Sequence, residues 1–237
     1  MTQIIGVDVG GTFTDLISFD VNSDTVRIAK VLSTPENQAF GVMKALETAE
    51  TNLPSVETLI HGTTVTTNAL LERKISRVGL ITTRGFRDVL ELGRRTRPKP
   101  YGMTGIFECI IPREFRLEVK ERIDSDGEII EPLNKNDVTK AIKKLVENGI
   151  ESLVIHFLHS YKNDIHEQIA SEIAKDLWPN SFITRGSELV TEFREYERGT
   201  TAAINAAIQP VLHNYIQRLQ QQLKENKYSK DLLVMQG

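Results

Sequence analysis

Three short runs rich in β-forming residues open the chain and restrict how it can fold: Ile4–Val9, Thr14–Phe19 and Val26–Val31. They are separated by Gly10-Gly11 and by Asn22-Ser23-Asp24, which are residue types that favour tight turns. This pattern predicts an antiparallel meander. Strands and helices alternate in the sequence that follows, so we expect an α/β fold.

The remaining elements are read from hydrophobic periodicity and turn residues. Asp124-Ser125-Asp126-Gly127 predicts a hairpin, and a long helix from Glu195 to about Glu225 is expected to be interrupted or kinked near Pro210. The sequence stops as a new strand, Leu232–Met235, begins, which suggests one part of a larger architecture. The other predicted elements are Pro35 to about Glu50, Val56–Ile60, Val65–Arg73, Arg77–Thr82, Leu117–Ile123, Glu128–Ile130, Asn136–Asn148, Ser152–Leu158, Asp164–Leu177 and Phe182–Thr184.

The first motif runs from Asp8 to Asp15 and reads Asp-Val-Gly-Gly-Thr-Phe-Thr-Asp. Its glycines can adopt backbone angles closed to other residues, and without a Cβ they let a phosphate approach the main-chain N–H groups. Thr12 and Thr14 are expected to add hydroxyl donors, and Asp8 to hold Mg²⁺ directly or through water. The alternative is an ordinary Gly-Gly hairpin turn with polar surface residues.

This first motif differs from two common nucleotide-binding loops. The Gly-Lys-Ser/Thr sequence of a P-loop is absent, and the segment leads into a strand, whereas a Rossmann fingerprint opens a helix. If the motif binds a nucleotide, it therefore does so as a phosphate-binding loop between two strands.

The second motif, His61-Gly62-Thr63-Thr64-Val65-Thr66-Thr67-Asn68, follows a predicted strand and opens a helix. Helix N-termini carry unpaired N–H donors and the positive end of the helix dipole, and both favour an anionic group. We expect His61, Thr63 and Thr64 to contact substrate or phosphate. The alternative is threonine capping of the helix, which would need only one of the four threonines.

Two further groups of polar residues are candidates for substrate binding. Arg94 and Arg95, with Arg97 nearby, carry guanidinium groups that suit carboxylates and phosphates, although such a loop is also compatible with simple solvation. The start of the long helix is expected either to be a solvated face or to line a cleft. The residues in question there are Arg198, Thr200, Thr201 and Asn205.

Composition excludes several functional classes. The net charge of −3 gives no basic surface for nucleic acid, and Cys109 as the single cysteine excludes an intrachain disulfide and a cysteine-based metal cluster. No apolar run approaches the roughly 20 residues of a membrane span, and Met1-Thr2-Gln3 lacks the basic start of a signal peptide. We expect a cytoplasmic protein with no membrane partner. Cys109 and four histidines are expected to be structural, the latter being His156, His159, His166 and His213.

Taken together, the two motifs resemble the hydantoinase A / 5-oxoprolinase family, and the first resembles the phosphate loop of the actin, sugar kinase and Hsp70 superfamily. Further stretches agree, and the similarity extends over nearly the whole chain. The resemblance implies a ribonuclease H-like mixed sheet with flanking helices, an α/β subdomain and a long C-terminal helix. It also implies an N-terminal region over residues 1–190, with that subdomain inserted, and the start of the following domain over 191–237. The further stretches are Ile81–Asp88, Leu92–Arg95, Glu121–Ile129 and Glu195–Ala206.

The resemblance implies ATP-dependent hydrolysis of cyclic amides, with phosphate transferred to the carbonyl oxygen. Alternatives are a subunit of an ATP-dependent ketone carboxylase, a sugar-kinase-like phosphotransferase and a non-catalytic subunit that binds a partner. Implied partners are the cyclic amide or ketone, the remainder of the same polypeptide or a hydantoinase B-type subunit. Because the second phosphate loop of the family lies outside this sequence, the chain alone is expected to be inactive. The phosphate and Mg²⁺ contacts are implied for Asp8, Gly10, Gly11, Thr12, Thr14 and Asp15.

Overall fold

The computed structural model of the chain describes residues 3–34, 38–94, 101 and 108–235. The chain forms two compact units. The first unit comprises residues 1–74 and 211–237, and the second, residues 75–210, is inserted between these two segments. The expected division at 190/191 concerns family regions rather than compact units, and it stays a prediction.

The first unit contains a five-stranded mixed sheet whose strand order is β11-β4-β1-β2-β3. The first three strands form the predicted antiparallel meander, and the two later strands pair in parallel with its first strand and with each other. The strands are β1 (Gln3–Val9), β2 (Phe13–Asp20), β3 (Thr25–Leu32), β4 (Val56–Thr63) and β11 (Leu232–Val234).

The helices of the first unit cover one face of this sheet. They are α1 (Gln38–Thr48), the short α2 (Val65–Leu71) and residues 211–225 of α7 (Glu195–Glu225). Alternate residues of the strands point toward α1 and α7 and form one apolar core with them. Tyr215, Leu219 and Leu223 repeat every four residues, which gives α7 the apolar stripe that this packing needs.

The second unit is built on four parallel strands in the order β10-β9-β5-β6. β5 and β9 are buried along their whole length, because α4 and α5 cover one face while small residues of α7 pack on the other. The antiparallel hairpin β7–β8 encloses the predicted turn at Asp124–Gly127. The elements of this unit are β5 (Val78–Thr83), α3 (Val89–Leu92), β6 (Arg116–Val119), β7 (Arg122–Ile123), β8 (Ile129–Glu131), α4 (Lys135–Glu147), β9 (Ser152–His156), α5 (Ile165–Leu177), β10 (Ile183–Arg185) and α6 (Gly186–Leu189).

The predicted fold class is confirmed, but one element prediction is wrong. The predicted strand Leu117–Ile123 divides into β6, which joins the parallel sheet, and β7, which joins the hairpin. The long helix α7 runs through Pro210 without interruption, whereas the alternative of a kink near Pro210 stays a prediction. Within the described part of the chain, no helix combines the length and the apolar character needed to cross a bilayer.

The packing of α4 on β5 allows a test of the second unit. Leu145 is 1% exposed, and a Cβ placed on Gly79 would lie 2.7 Å from its Cδ2, so the glycine lets this side chain pack directly on the strand. We expect Leu145→Ala to lower the free energy of unfolding by about 2–5 kcal/mol, since it leaves a cavity at this contact. The measurement is native-state hydrogen exchange of β5 and β9. Replacing the exposed Lys143 by alanine should change the free energy of unfolding by less than about 0.5 kcal/mol. An equal effect of Leu145→Ala and Lys143→Ala would contradict the packing of Leu145 in the core.

Candidate functional site

The loop between β1 and β2 is held by hydrogen bonds to the end of β3. The Gly10 N–H donates to the Phe13 carbonyl at 3.0 Å, and the Ser33 N–H donates to the Thr12 carbonyl at 2.9 Å. The Ser33 hydroxyl also donates to the Gly10 carbonyl at 2.8 Å. Within the described residues, the N–H groups of Gly11 and Thr12 have no acceptor. The loop is therefore fixed in position and presents two backbone donors.

The two loop glycines are needed for space and not for their backbone angles. Neither Gly10 nor Gly11 has a positive φ, so the expectation that they adopt angles closed to other residues is wrong. A Cβ on Gly11 would lie 3.1 Å from the Asn68 Nδ2, and a Cβ on Gly10 would lie 3.3 Å from the Phe13 carbonyl oxygen. A side chain at either position would crowd these neighbouring protein atoms, and the close approach of a ligand to the glycines stays a prediction.

The second motif is joined to this loop by hydrogen bonds within the first unit. The Thr64 N–H and hydroxyl both donate to the Val9 carbonyl, at 3.0 Å and 3.3 Å. The Asn68 Nδ2 donates to the Thr64 Oγ1 at 3.3 Å, and the Asn68 amide thereby stands against Gly11. Thr63 caps locally, since its Oγ1 accepts from the Val65 N–H at 3.2 Å. The structure thus brings the two predicted motifs together.

Asp8 and Asp15 lie side by side on the face of the sheet that α1 and α7 leave open. They are opposite partners in the β1–β2 ladder, and Asp8 also pairs with Gly62 of β4. Asp8 is exposed, whereas the Asp15 carboxylate accepts two hydrogen bonds from the Lys30 ammonium, at 2.8 Å and 3.1 Å. No group of three or more metal-ligating side chains exists among the described residues. A cation here would need other ligands, such as phosphate oxygens.

His61 is turned away from this open face. Its side chain is 0% exposed, and its Nε2 lies 2.8 Å from the Tyr215 hydroxyl of α7. Burial raises the pKa of Tyr215, so the hydroxyl stays protonated, and the histidine tautomer decides which of the two groups donates the hydrogen bond. Burial also lowers the pKa of His61 to about 4, an effect that the nearby Asp8 carboxylate only partly offsets. The expected contact of His61 with substrate or phosphate is therefore wrong, because a neutral imidazole is fixed inside the core.

Thr14 also points into the core. It is 0% exposed, and its hydroxyl is hydrogen-bonded to the Ser33 hydroxyl at 3.0 Å. α1 passes directly over it, since a Cβ on Gly41 would lie 2.9 Å from the Thr14 Oγ1. The expected hydroxyl contact from Thr14 to phosphate does not fit this burial, whereas Thr12 is exposed at the loop.

The arginines predicted to contact substrate either belong to the second unit or lie outside the residues that the structure describes. Arg94 is exposed and forms an ion pair with Glu197, while Arg95 and Arg97 lie outside the described residues. Arg198 is 0% exposed and donates to the Phe157 carbonyl at 3.2 Å and to the Glu195 carboxylate at 3.1 Å. Its expected position along a cleft is wrong, because it anchors the turn after β9.

Two histidines of the second unit are structural, as expected. His156 packs between Gly186 and Gly199, and burial followed by the nearby Arg198 charge lowers its pKa to about 4. His166 Nδ1 lies 2.7 Å from the buried Glu121 carboxylate. These rings fill the interior of the unit and offer no open coordination position.

Sequence reasoning missed three residues that support the site: Ser33, Asn68 and Tyr215. Asn68 could have been found, because it follows Thr64 by four residues on a helix and such pairs face each other. Tyr215 gave no signal, since it is 154 positions away from its partner His61.

Comparison with known proteins gives a consistent result. The sequence profile described as "Hydantoinase/oxoprolinase N-terminal region" matches residues 4–178. An uncharacterised protein of Methanocaldococcus jannaschii is 42% identical over 98% of this chain and 35% of its own length. Caprolactamase subunit alpha of Pseudomonas jessenii is 33% identical over 91% of this chain and 32% of its own length.

Solved structures give the same picture. ATP-dependent caprolactamase from Pseudomonas jessenii superposes with a TM-score of 0.83 at 29% identity, covering 99% of this chain and 35% of that one. Nucleotide-free acetone carboxylase, described with ATP-dependent acetone carboxylation, superposes with a TM-score of 0.82 at 25% identity. The match covers 98% of this chain and 36% of that one. The chain spans about a third of the length of the relatives that it matches.

The buried His61 allows a test by pH. Its folded pKa of about 4 lies below the ordinary value of 6.5, so the unfolded chain binds the proton more readily. The stability that the neutral ring contributes is complete above pH 6.5 and is lost progressively as the pH falls toward 4. The check is an NMR titration of the His61 ring signals, which should stay unchanged from pH 8 to 5 in the folded protein. The same ring in urea serves as the control, and folded-state titration near pH 6.5 would contradict the assignment.

Proposed function

The chain belongs to the hydantoinase/oxoprolinase family, and from this premise we propose that it is the phosphate-binding N-terminal part of an ATP-dependent enzyme acting on a cyclic amide. The observation that carries the proposal is that the two motifs are joined. Thr64 donates a hydrogen bond to the Val9 carbonyl, and the Asn68 amide stands against Gly11. This joining supports a loop with two available N–H donors beside the exposed Asp8. Because the chain spans about a third of its relatives, the activity is proposed for the full-length gene product.

ATP is needed for a simple chemical reason. An amide carbonyl is a poor electrophile, and its nitrogen is a poor leaving group. In the proposed reaction the carbonyl oxygen bonds to the γ-phosphorus while the bond from that phosphorus to ADP breaks. Water then adds to the activated carbon, the ring C–N bond opens to give an acyl phosphate, and a second water displaces phosphate at carbon. The products are the amino acid, ADP and phosphate.

The residues of this chain would contribute mainly positioning and charge neutralisation. The N–H groups of Gly11 and Thr12 would hold phosphate oxygens, with the Gly10 backbone shaping the loop. Asp8 fits as a ligand of a phosphate-bound Mg²⁺, because Mg²⁺ is commonly held by one or two carboxylates together with phosphates. Asp15 would remain paired with Lys30. Thr64 is exposed at the same end of β4 and would adjoin the reacting groups.

Ketone carboxylation is the second candidate, and the similarity to acetone carboxylase favours it. It would use the same loop, since phosphorylation of a carbonyl oxygen also activates a ketone. The caprolactamase relative is called subunit alpha, which supports assembly with a partner such as a hydantoinase B-type subunit. A cytoplasmic location stays a prediction of the sequence.

Oxygen labelling tests the proposed chemistry. The full-length gene product is incubated with ATP, Mg²⁺ and hydantoin, 5-oxoproline or a neutral lactam, each carrying ¹⁸O in its carbonyl. With the true substrate we expect one ADP per molecule converted and ¹⁸O in the released phosphate. ADP release that does not depend on any carbonyl compound, or unlabelled phosphate during turnover, would contradict the proposal.

Substitution of Gly11 tests the role of the loop. Gly11→Val places a branched side chain against Asn68, which should displace the loop and lower kcat/KM for ATP about 100-fold, because small misplacements of reacting groups are costly. Gly11→Ala should give a smaller loss. Ser23→Ala, in the exposed turn between β2 and β3, is the control. Wild-type kinetics in a correctly folded Gly11→Val protein would rule out phosphate binding at this loop.

A further inference from the structure

The peptide unit between Gly10 and Gly11 carries one of the two backbone donors that the loop presents. A trans peptide is planar, so its C=O and its N–H point in opposite directions, and the described residues contain no cis peptide bond. The Gly10 carbonyl is turned toward the Ser33 hydroxyl, which donates to it at 2.8 Å. The Gly11 N–H therefore points away from Ser33, and within the described residues it has no acceptor.

Two hydroxyl groups stand in line behind this carbonyl. The Thr14 Oγ1 and the Ser33 Oγ lie 3.0 Å apart, and Thr14 is 0% exposed. A hydroxyl has a single hydrogen to donate. The Ser33 hydrogen goes to the Gly10 carbonyl, which can only accept, so Thr14 must be the donor in its bond to Ser33. The hydrogen bonds thus form a relay that runs from Thr14 through Ser33 to the Gly10 carbonyl.

This relay strengthens the donor on the other side of the peptide plane. Hydrogen bonds in a chain polarise one another, and a carbonyl that accepts a hydrogen bond draws electron density from its own amide nitrogen. The Gly11 N–H shares that amide and becomes a better donor. The Ser33 N–H also donates to the Thr12 carbonyl at 2.9 Å, so Ser33 holds the loop on both sides of Gly11.

A peptide plane between two glycines has little preference of its own for one orientation. Turning the plane by half a turn changes the φ of Gly11 by the same amount. Because Gly11 has no positive φ, the turned plane would need a positive φ, which glycine adopts readily and other residues do not. The turned plane would present the Gly10 carbonyl outward in place of the Gly11 N–H, and a carbonyl oxygen repels an anion.

We propose that Thr14 and Ser33 are positioning residues that lock the Gly10–Gly11 peptide with its N–H outward, and that this lock makes the loop selective for an anion. The buried Thr14 thereby acts on the ligand through Ser33 and the peptide, without touching it. This inference rests on the proposed function, because it states what keeps the loop of that site in its phosphate-binding form.

NMR of the chain tests the orientation of the peptide. Gly10-Gly11 is the only Gly-Gly pair in the sequence, so glycine labelled with ¹³C at the carbonyl and with ¹⁵N gives one amide whose nitrogen is bonded to a labelled carbonyl. In Ser33→Ala we expect the proton of this amide to show a nuclear Overhauser contact with the methyl group introduced at position 33. A Gly11 N–H that still points away from this methyl group overturns the proposal.

A second variant tests the relay without removing Ser33. Thr14→Val keeps the shape of the side chain and removes only the first donor, so the Gly10 carbonyl signal should shift in the same direction as in Ser33→Ala and by a smaller amount. Ser18→Ala is the matched control, because Ser18 is also a buried serine of β2 and has no part in the relay. An unchanged carbonyl signal in Thr14→Val, or an equal shift in Ser18→Ala, contradicts the relay.

The consequence for binding is measured on the full-length gene product with inorganic triphosphate and Mg²⁺. Ser33→Ala should weaken triphosphate binding about three- to tenfold, which is the net worth of about one hydrogen bond. Gly11→Ala is the discriminating background, because a Cβ disfavours the positive φ of the turned plane, and there Ser33→Ala should cost less than about twofold. An equal loss in both backgrounds, as a merely structural role of Ser33 predicts, or no triphosphate binding by the wild type, overturns the proposal.

The lock and the proposed function can fail separately. A peptide that turns in Ser33→Ala, without any carbonyl-dependent ADP release by the full-length gene product, would leave the lock and refute the proposed function. Carbonyl-dependent ADP release that is lost in Gly11→Val but unchanged in Ser33→Ala would support the function and refute the lock.

Discussion

The candidate site depends on the parallel pairing of β1 with β4. This pairing aligns Val9 with Thr63 at the ends of the two strands, and the hydrogen bonds from Thr64 to the Val9 carbonyl continue it past the last ladder position. The two strands are far apart in the sequence, and each ends in a polar motif that has no fixed geometry by itself. Their alignment places the Gly-Gly loop against the start of α2.

The same pairing divides the residues of each motif into two groups, because successive side chains of a strand point to opposite faces. His61 faces the helices and bonds to Tyr215, whereas its neighbour Gly62 lies beside Asp8 on the open face. Thr14 likewise faces inward. The His61 Nε2 and the Thr14 hydroxyl each have a hydrogen-bond partner in the core, and these bonds hold the strand ends in place. Side chains that could meet a ligand lie on the other face or in the loop.

Much of the fold could be predicted from the sequence, because its signals are local. The meander follows from three β-rich runs with turn residues between them, and the buried strands β5 and β9 are apolar throughout. The pairing of the two motifs was expected only through the family resemblance. The role of His61 could not be predicted, since it depends on which face of β4 the helices cover and on a tyrosine 154 positions away. Arg198 was misjudged for a similar reason, because its partners belong to a turn 41 residues earlier.

Strand alternation also explains how one short motif can contain both a residue that stabilises the core and a residue that borders the open face. In the second motif a change of register by one residue would turn His61 to the open face and Gly62 into the core, since strand periodicity is two. The Tyr215 hydroxyl opposes such a change, because it would lose its His61 hydrogen-bond partner inside the protein, and a buried unpaired polar group costs about 1–3 kcal/mol. Gly62 opposes it from the other side, because a Cβ there would lie 3.2 Å from the Asp8 Oδ1. The His-Gly pair therefore works as a register marker: the histidine fixes the inner face of β4, and the glycine keeps the space beside Asp8 free on the outer face.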